Sequence, residues 1–257
     1  MTVEFAPPAV NRSLRAEWAE LADLPVTSER FDVDQTGDLP EPARRWLTHV
    51  IAPGTPLYRG VQLRMRGQIK IGTWRRFTAR QVLAPPAGFI WAASTRTAGL
   101  PVTGFDRYLS GTGQMRWRLA GLVPVMTAAG PDVSRSAAGR LAGEATCWLP
   151  TSFRSAHWIA GPKADTAVAT WTIDGEDETV RIRVGPDGGL SEVSMQRWGN
   201  PDGQPFGRYP FGVAVEAERT FADVRIPSVI RAGWGWGTGR QDAGEFFRAE
   251  ITDATFR

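Results

Sequence analysis

The sequence predicts a mainly β fold, an α+β arrangement in which one large, curved antiparallel sheet forms an open or half barrel. Residues 61–71 are apolar or glycine at every odd position and polar at every even position. This is the period of a strand that has one dry face and one wet face. Similar segments recur to the C-terminus, and a sheet of roughly ten to twelve strands curls through strand twist rather than staying flat.

Two amphipathic helices are predicted before the first strand. The first follows Asn11 or Ser13 as its N-cap. Its apolar stripe consists of Leu14, Trp18, Leu21 and Ala22. The second helix has Pro42 in its first turn and ends before Pro53-Gly54. Its apolar stripe consists of Trp46, Leu47, Val50 and Ile51.

A first series of strands follows the helices. Turn residues such as Gly72-Thr73 and Gly111-Thr112-Gly113 separate the strands and indicate hairpins. The predicted strands are Val61–Ile71, Trp74–Leu83, Phe89–Thr95, Val102–Leu109 and Gln114–Leu119.

The period changes between Asp132 and Trp148, where the sequence predicts a mid-chain helix. Apolar residues at Ala138, Leu141, Ala145 and Trp148 have the spacing of one helical face, and Pro150 ends the segment. A second series of strands then follows. These strands are Phe153–Ile159, Ala167–Asp174, Thr179–Val184, Leu190–Trp198, Val213–Asp223, Pro227–Trp236 and Gly244–Phe256.

The absence of a fixed repeat or a low-complexity linker predicts a single domain over residues 1–257. We expect residues 1–56 to form a helical cap and residues 57–257 to form the open barrel. The two N-terminal helices and the helix at about 132–148 are expected to cover the concave face of the sheet.

Charge and composition exclude several classes of protein. The net charge is only +3, from 30 basic and 27 acidic residues, and all but Lys70 and Lys163 of the basic residues are arginine. The pairs Arg64/Arg66, Arg116/Arg118 and Arg181/Arg183 fall on the polar phase of their strands, which indicates a solvated sheet face. We therefore predict no nucleic-acid partner.

The single cysteine, Cys147, allows no internal disulfide and fits a reducing compartment. The segment Met1–Pro8 lacks the apolar run of a signal peptide, and no stretch is long and apolar enough to span a membrane. We therefore expect a cytoplasmic protein without integral membrane association, and leave a homodimer open.

Eleven tryptophans are many for a chain of this length, and several fall on the expected inner face. Each could simply fill the core. Taken together, they are typical of a barrel wall that surrounds an apolar small-molecule cavity. The residues predicted to contact a ligand are Phe89, Trp91, Met115, Trp117, Trp148, Trp171 and Trp234.

Four polar residues interrupt the apolar pattern and are the candidate catalytic groups. Asp106 shares a strand phase with Tyr108, Glu144 borders the apolar stripe of the mid-chain helix, and His157 lies in a predicted strand. A carboxylate in an aromatic cavity has a raised pKa, which suits a general acid or base near neutrality. We therefore predict Asp106 and Glu144 as the acid/base pair, with Tyr108 and His157 orienting the substrate.

A structural explanation competes with each of these roles. Asp106 could pair with a nearby arginine, and Glu144 could pair with Arg140 one helical turn earlier. His157 could be an ordinary half-buried strand residue. His49, at the end of a helix, is better explained as a partner of the helix dipole. With two histidines and one cysteine, no structural zinc site and no cofactor are predicted, although a metal bound by carboxylates stays open.

Three short motifs resemble those of a family of bacterial proteins of unknown function. They are Leu39–Leu47, Phe105-Asp106-Arg107-Tyr108 with Gly111 and Gly113, and Glu144 followed by Trp148-Leu149-Pro150-Thr151. The resemblance covers roughly residues 39 to 256, places emphasis on Asp106 and Glu144, and implies no activity. The layout also resembles lipoprotein-carrier half barrels that hold acyl chains, but the signal peptide and lipidation cysteine of such carriers are missing here.

The leading hypothesis is a cofactor-free enzyme that acts on a bulky hydrophobic molecule, such as a polyketide, terpenoid or acyl compound. Its chemistry would be acid/base isomerisation, cyclisation or hydrolysis in the aromatic cavity. The alternative is a carrier or sensor that binds a lipophilic ligand without chemistry. A purely structural interaction protein, the third hypothesis, predicts no cavity.

Overall fold

The computed structural model describes residues 12–25 and 27–257. The segment Met1–Pro8 and the expected N-cap Asn11 lie outside the described residues, as does the side chain of Ser13. The helices are α1 (Arg12–Ala22), α2 (Glu41–Val50), α3 (Pro131–Trp148) and the single turn α4 (Gln241–Gly244). Short 3-10 turns occur at Val33–Thr36, Pro150–Ser155 and Pro201–Gly203.

Thirteen strands form one antiparallel sheet in the described part of the chain. The first six are β1 (Val61–Ile71), β2 (Thr73–Ala84), β3 (Gly88–Thr97), β4 (Leu100–Leu109), β5 (Thr112–Leu119) and β6 (Val123–Ala129). The other seven are β7 (His157–Ala160), β8 (Thr166–Ile173), β9 (Glu176–Val184), β10 (Leu190–Gly199), β11 (Gly207–Phe221), β12 (Val224–Trp234) and β13 (Glu245–Phe256).

The sheet consists of two meanders joined by the first and last strands. Its order is β6-β5-β4-β3-β2-β1-β13-β12-β11-β10-β9-β8-β7. The junction between β1 and β13 pairs Val61 with Phe256 and Ile69 with Phe247. The sheet is curved and does not close, which confirms the predicted mainly β, open-barrel fold class.

Helix α3 lies inside the curve of the sheet. It contacts β5 and β10, which are eight strand steps apart in the sheet order. In a flat sheet these strands would be about 38 Å apart, whereas a helix with its side chains is only about 10–12 Å wide. The sheet therefore wraps around α3, and the odd-numbered residues of β1 to β3 face the helix.

Helix α2 also packs on the inner face, where the rings of Trp46 and Trp158 lie 5.9 Å apart. Helix α1 differs from the expectation, because it packs on the outer face of the sheet. Its residues Leu14 and Trp18 join the even-numbered residues Val82 and Ile90 in a separate apolar cluster. An amphipathic stripe shows that a helix packs against something, but not which face of the sheet it covers.

Two strand predictions also need correction. Strand β6 is missing from the predicted set because almost all of its residues are exposed, so its sequence shows no alternation between dry and wet positions. The predicted strand Phe153–Ile159 is a 3-10 turn followed by the short strand β7. The described helices include none with the length and hydropathy needed to cross a bilayer.

Candidate functional site

A cavity of about 290 Å³ lies between α3 and the inner face of the sheet. Its volume is close to the lower limit, about 300 Å³, of pockets that hold small organic molecules. The strands of both meanders contribute apolar side chains to its wall. These are Met65, Ile69, Trp91, Met115, Val193, Met195, Phe211, Val213, Ile230, Ala232, Trp234, Phe246 and Phe247.

One face of α3 completes the wall. The helix contributes Ser136, Gly139, Arg140, Gly143, Glu144, Cys147 and Trp148. The first six occupy positions i, i+3, i+4, i+7, i+8 and i+11, which is one side of a helix. Gly143 has no side chain, so the cavity extends up to the helix backbone at this position, whereas the side chains of Glu178 and Arg197 lie against Gly139.

Four of the seven predicted ligand contacts lie in the cavity wall. They are Trp91, Met115, Trp148 and Trp234. The indole of Trp91 is fixed by its neighbours: its Nε1 donates to Sδ of Met65 at 3.3 Å, and its ring lies 5.6 Å from that of Trp117. The buried Nε1 of Trp148 has no hydrogen-bond partner among the described residues.

The other three, Phe89, Trp117 and Trp171, are buried outside the wall. The ring of Phe89 supports the guanidinium of Arg140, 4.7 Å from its centroid. Trp171 donates from Nε1 to Oγ1 of Thr146 on α3 at 3.1 Å. The structure therefore places these three rings in the packing behind the cavity rather than on its surface.

Asp106 and Glu144 both line the cavity, where Arg140 joins them. Arg140 donates from Nη1 to Oδ2 of Asp106 at 3.0 Å and from Nε to Oε1 of Glu144 at 2.7 Å. Trp117 donates from Nε1 to Oδ1 of Asp106 at 2.9 Å, and the amide of Gln81 donates to Oε2 of Glu144. Each of the four carboxylate oxygens thus accepts a hydrogen bond from the protein.

The electrostatics of this cluster follow from burial and charge. Burial raises the pKa of the Asp106 carboxyl above its ordinary value, although the Arg140 guanidinium and the bond from Trp117 act in the opposite direction. Burial also disfavours the charge on Arg140, but Glu144 and Asp106 outweigh it and raise the pKa of Arg140. Arg140 therefore stays a cation and stabilises the two carboxylates beside it.

Tyr108 lies outside the cavity wall, although it shares the strand phase of Asp106. Its hydroxyl donates to Oδ2 of Asp174, which lies in the turn between β8 and β9. Burial, followed by the bond to Asp174, raises the pKa of Tyr108 well above its ordinary value. This contact joins β4 to the far end of the sheet and so holds the curve together.

His157 is exposed on β7 and does not reach the cavity. His49, for which the sequence predicted no functional role, lies at the end of α2, with its Nε2 3.0 Å from Oε2 of Glu218. No group of three or more His, Cys, Asp or Glu side chains suited to a metal ion occurs within residues 12–25 and 27–257.

Sequence reasoning missed Arg197, a second arginine in the cavity wall. Its Nε and Nη2 reach the carbonyl oxygen of Ser136 at 3.4 and 3.3 Å, and its guanidinium lies 5.3 Å from the ring centroid of Trp234. Burial, followed by the nearby Arg140, lowers the pKa of Arg197 to about 10, so it is charged at neutral pH. The sequence alternation of β10 indicates this position, because Arg197 lies on the same inward-facing side of the strand as Met195.

Arg197 forms no ion pair with a described residue. Its Nη1 also has no hydrogen-bond partner in the part of the chain that the structure describes. A guanidinium N–H group that has no acceptor from the protein favours contact with an acceptor from a bound molecule.

Three of the solved structures that resemble this chain are bacterial proteins. One, described as an outer membrane lipoprotein-sorting protein domain from Vibrio parahaemolyticus, has 9% identity and a TM-score of 0.39, with 88% of this chain and 94% of that chain covered. A LolA superfamily protein from Nitrosomonas europaea has 8% identity and a TM-score of 0.45, with coverage of 85% and 94%. A DUF1329 family protein from Desulfovibrio piger has 10% identity and a TM-score of 0.37, with coverage of 77% and 86%. No curated protein matches the sequence.

The leading hypothesis from the sequence, a cofactor-free acid/base enzyme, is contradicted. Within this chain, the proposed acid and base are both bound by Arg140, and the proposed orienting residues Tyr108 and His157 lie outside the cavity. The arrangement brings together an ion-paired polar cluster and a large apolar wall.

One family model matches residues 29–246, which is most of the chain and includes the cavity. The motifs around Asp106 and Glu144 fall within this match. The chain belongs to the DUF6544 family, a family of unknown function.

Proposed function

We propose that the protein is a non-catalytic carrier or sensor that binds one lipophilic small molecule in the cavity between α3 and the sheet. The observation that carries the proposal is the apolar wall around about 290 Å³ of space. Protein interiors are close-packed, and voids larger than a water molecule are few. A cavity of this volume is therefore a feature of the fold and not a small packing defect.

The energetic cost of such a space supports the same conclusion. Because the cavity is partly open to solvent, the cost of an enclosed, dry cavity, about 24 cal/mol per Å³, sets an upper limit of about 7 kcal/mol for about 290 Å³. This is comparable with the whole free energy of unfolding of a typical domain, roughly 5–15 kcal/mol. Since the wall offers water few polar partners, an apolar ligand is the occupant that recovers most of this cost.

The polar residues of the wall indicate an amphiphilic ligand. Arg140 is ion-paired with Asp106 and Glu144, whereas Arg197 has no ion pair with a described residue and keeps Nη1 available. A ligand with an alkyl or isoprenoid tail and a carboxylate or other acceptor at one end would bury the tail against the apolar wall. Its acceptor would receive a hydrogen bond from Arg197.

The proposal is tested by native mass spectrometry of the protein isolated from its host, followed by titration with fatty acids and their methyl esters. Trp91, Trp148 and Trp234 line the cavity, so their fluorescence reports occupancy. We expect one unchanged ligand per chain and saturable binding. Consumption or conversion of the ligand would contradict the carrier proposal, as would a failure of every chain length to bind.

The role of Arg197 is tested separately. Arg197→Met should weaken binding of the fatty acid about ten- to a hundredfold, since a hydrogen bond to a charged group contributes about 1.5–3 kcal/mol, and should leave the methyl ester nearly unaffected. Arg181→Met, at an exposed position on β9, is the matched control. Equal losses for acid and ester would show that Arg197 acts only through packing.

A further inference from the structure

The charge of the protein is concentrated in one half of the sheet. Residues 61–129, which form β1 to β6, contain ten lysine or arginine residues, and their single acidic residue is Asp106. Asp106 faces the cavity and binds Arg140. This segment therefore carries a net charge of +9, whereas the whole chain carries +3, and the remainder of the chain is net acidic.

Exposed apolar residues cluster at one end of the strands in the same half of the sheet. The turns after β1, β3 and β5 all lie at this end because the strands form an antiparallel meander. Each turn presents an apolar residue: Ile71 is 48% exposed, Leu100 is 50% exposed and Leu122 is 78% exposed. The adjoining strand β6 adds Val123, Val125 and Met126, all exposed. We call these three turns and β6 the basic rim.

The arginines beside these turns have no acidic partners in the described part of the chain. Arg96 donates from Nη1 to the carbonyl of Gly99 at 3.0 Å, and Arg118 reaches the carbonyl of Gly121 at 3.5 Å. These contacts hold both side chains against the apolar turns. Seven of the ten basic residues form no ion pair with a described residue: Lys70, Arg75, Arg76, Arg80, Arg96, Arg116 and Arg118.

The apolar surface of the rim continues into the cavity. Ile69 lines the cavity, and Ile71 lies two residues further along the same face of β1. The dry face of this strand thus leads from the cavity wall to the exposed turn.

We propose that the basic rim docks on the surface of a lipid bilayer that contains anionic lipids. The apolar turns would enter the interface between head groups and acyl chains, and the arginines would lie at the level of the phosphates. This arrangement accounts for both the exposed apolar turns and the arginines of the rim that form no ion pair with a described residue. The inference stands apart from the identity of the cavity ligand, since it rests on a different surface.

A nucleic acid is the other polyanion that such a charge would attract, but the rim fits it less well. The most exposed large apolar side chains of the rim are aliphatic, namely Leu122, Val123 and Val125. Aliphatic side chains offer neither the hydrogen bonds that read bases nor the aromatic faces on which unpaired bases stack. A bilayer interface accommodates cations and aliphatic groups together.

The experiment is flotation of the full chain with vesicles of phosphatidylcholine alone and with vesicles in which phosphatidylglycerol replaces part of it. We expect binding only to the anionic vesicles, and weaker binding as salt is raised. Neutralising Arg76, Arg96 and Arg118 together as R76Q/R96Q/R118Q should weaken binding on the order of a hundredfold, since each basic residue near an anionic surface contributes about fivefold.

The matched control is R44Q/R181Q/R225Q, which removes the same charge from exposed arginines outside the rim and should bind anionic vesicles nearly as well as the wild type. The second test variant, L122S/V125S, keeps every charge and removes apolar area, and should also weaken binding. Occupancy of the cavity by a soluble fatty acid, measured by tryptophan fluorescence in all variants, separates this proposal from that of ligand binding.

Three outcomes would overturn the proposal. The first is equal binding to neutral and anionic vesicles, or no binding to either. The second is an equal loss in the rim and control variants, which would show that only total charge matters. The third is binding of duplex or single-stranded nucleic acid that depends on the rim, without binding of vesicles.

Discussion

The substitution Gly143→Leu tests the cavity directly, because it should stabilise the fold and at the same time block the ligand. Gly143 lies within α3 and lines the cavity. A Cβ atom built there would have one neighbour within 4 Å, Sδ of Met195 at 3.5 Å, which is an ordinary contact. A longer side chain at this position therefore extends into the cavity.

Two effects stabilise the Gly143→Leu variant. Replacing glycine in a helix interior gains about 0.8–1.0 kcal/mol. Burying a leucine side chain gains a further 1.5–3 kcal/mol at most, and partial contact with the wall makes about 1 kcal/mol a cautious value. We therefore expect the free energy of unfolding to rise by about 2 kcal/mol and Tm to rise by about 4–8 °C.

The same side chain should weaken ligand binding. A leucine brings four carbon atoms, and each methylene that the ligand can no longer bury costs about 0.8 kcal/mol. The loss is about 3 kcal/mol, or roughly a hundredfold in Kd. Gly143→Ala, the matched control, should gain nearly all of the stability that comes from replacing glycine in a helix. It should lose only about fourfold in affinity, because it fills the space of one methyl group.

Urea denaturation and fatty-acid titration of these two variants at Gly143 measure both quantities. Greater stability together with weaker binding supports the account. A Gly143→Leu protein that binds with wild-type affinity would refute it, because the ligand would then lie elsewhere. A strongly destabilised variant would show that the space is not open to a side chain.

The polar cluster yields further predictions. Arg140→Met should destabilise the fold by about 3–5 kcal/mol in urea denaturation, since it leaves two carboxylates without their cation. Asp106→Asn should cost about 1–3 kcal/mol, because its NH2 group replaces an oxygen that accepts a hydrogen bond from Arg140 or Trp117. Burial raises the pKa of Asp106, so folding disfavours the charged form of this carboxyl. For the same reason, the stability of the wild type relative to Asp106→Asn should fall as pH rises from about 4 through the raised pKa, and a relative stability that rises instead would contradict this sign. Tyr108→Phe should lose about 1–2 kcal/mol with unchanged ligand affinity, since its bond to Asp174 lies outside the cavity. His157→Gln should alter neither quantity, and a loss of binding would contradict its exposed position on β7.

Periodicity predicted the fold well wherever one face of an element is buried. The bounds of β1 agree at both ends, and α3 differs from its prediction by one residue, because both elements alternate between core and solvent. Strand β6 is not predicted by periodicity because it lies at the edge of the sheet and most of its side chains are in solvent. The position of α1 on the outer face depends on tertiary packing that a single amphipathic stripe does not specify.

The candidate site was predicted in part, for related reasons. Strand and helix phase brought Asp106 and Glu144 to the cavity, but the identity of Arg140 as their shared partner depends on how α3 crosses β4. Tyr108 has the same phase as Asp106, yet lies two residues nearer the strand end, where it meets Asp174. Arg197 could have been predicted by the same reasoning as Asp106, because it too is a charged residue at an inward-facing position of a strand.

Ligand binding between α3 and the sheet is tested most directly by a crystal structure of the protein with a fatty acid that carries bromine on its alkyl chain, located by anomalous scattering. We expect a bromine peak between α3 and the sheet, in contact with residues such as Met65, Trp91 and Met195. A peak on the outer surface, or none at concentrations that saturate tryptophan fluorescence, would contradict it.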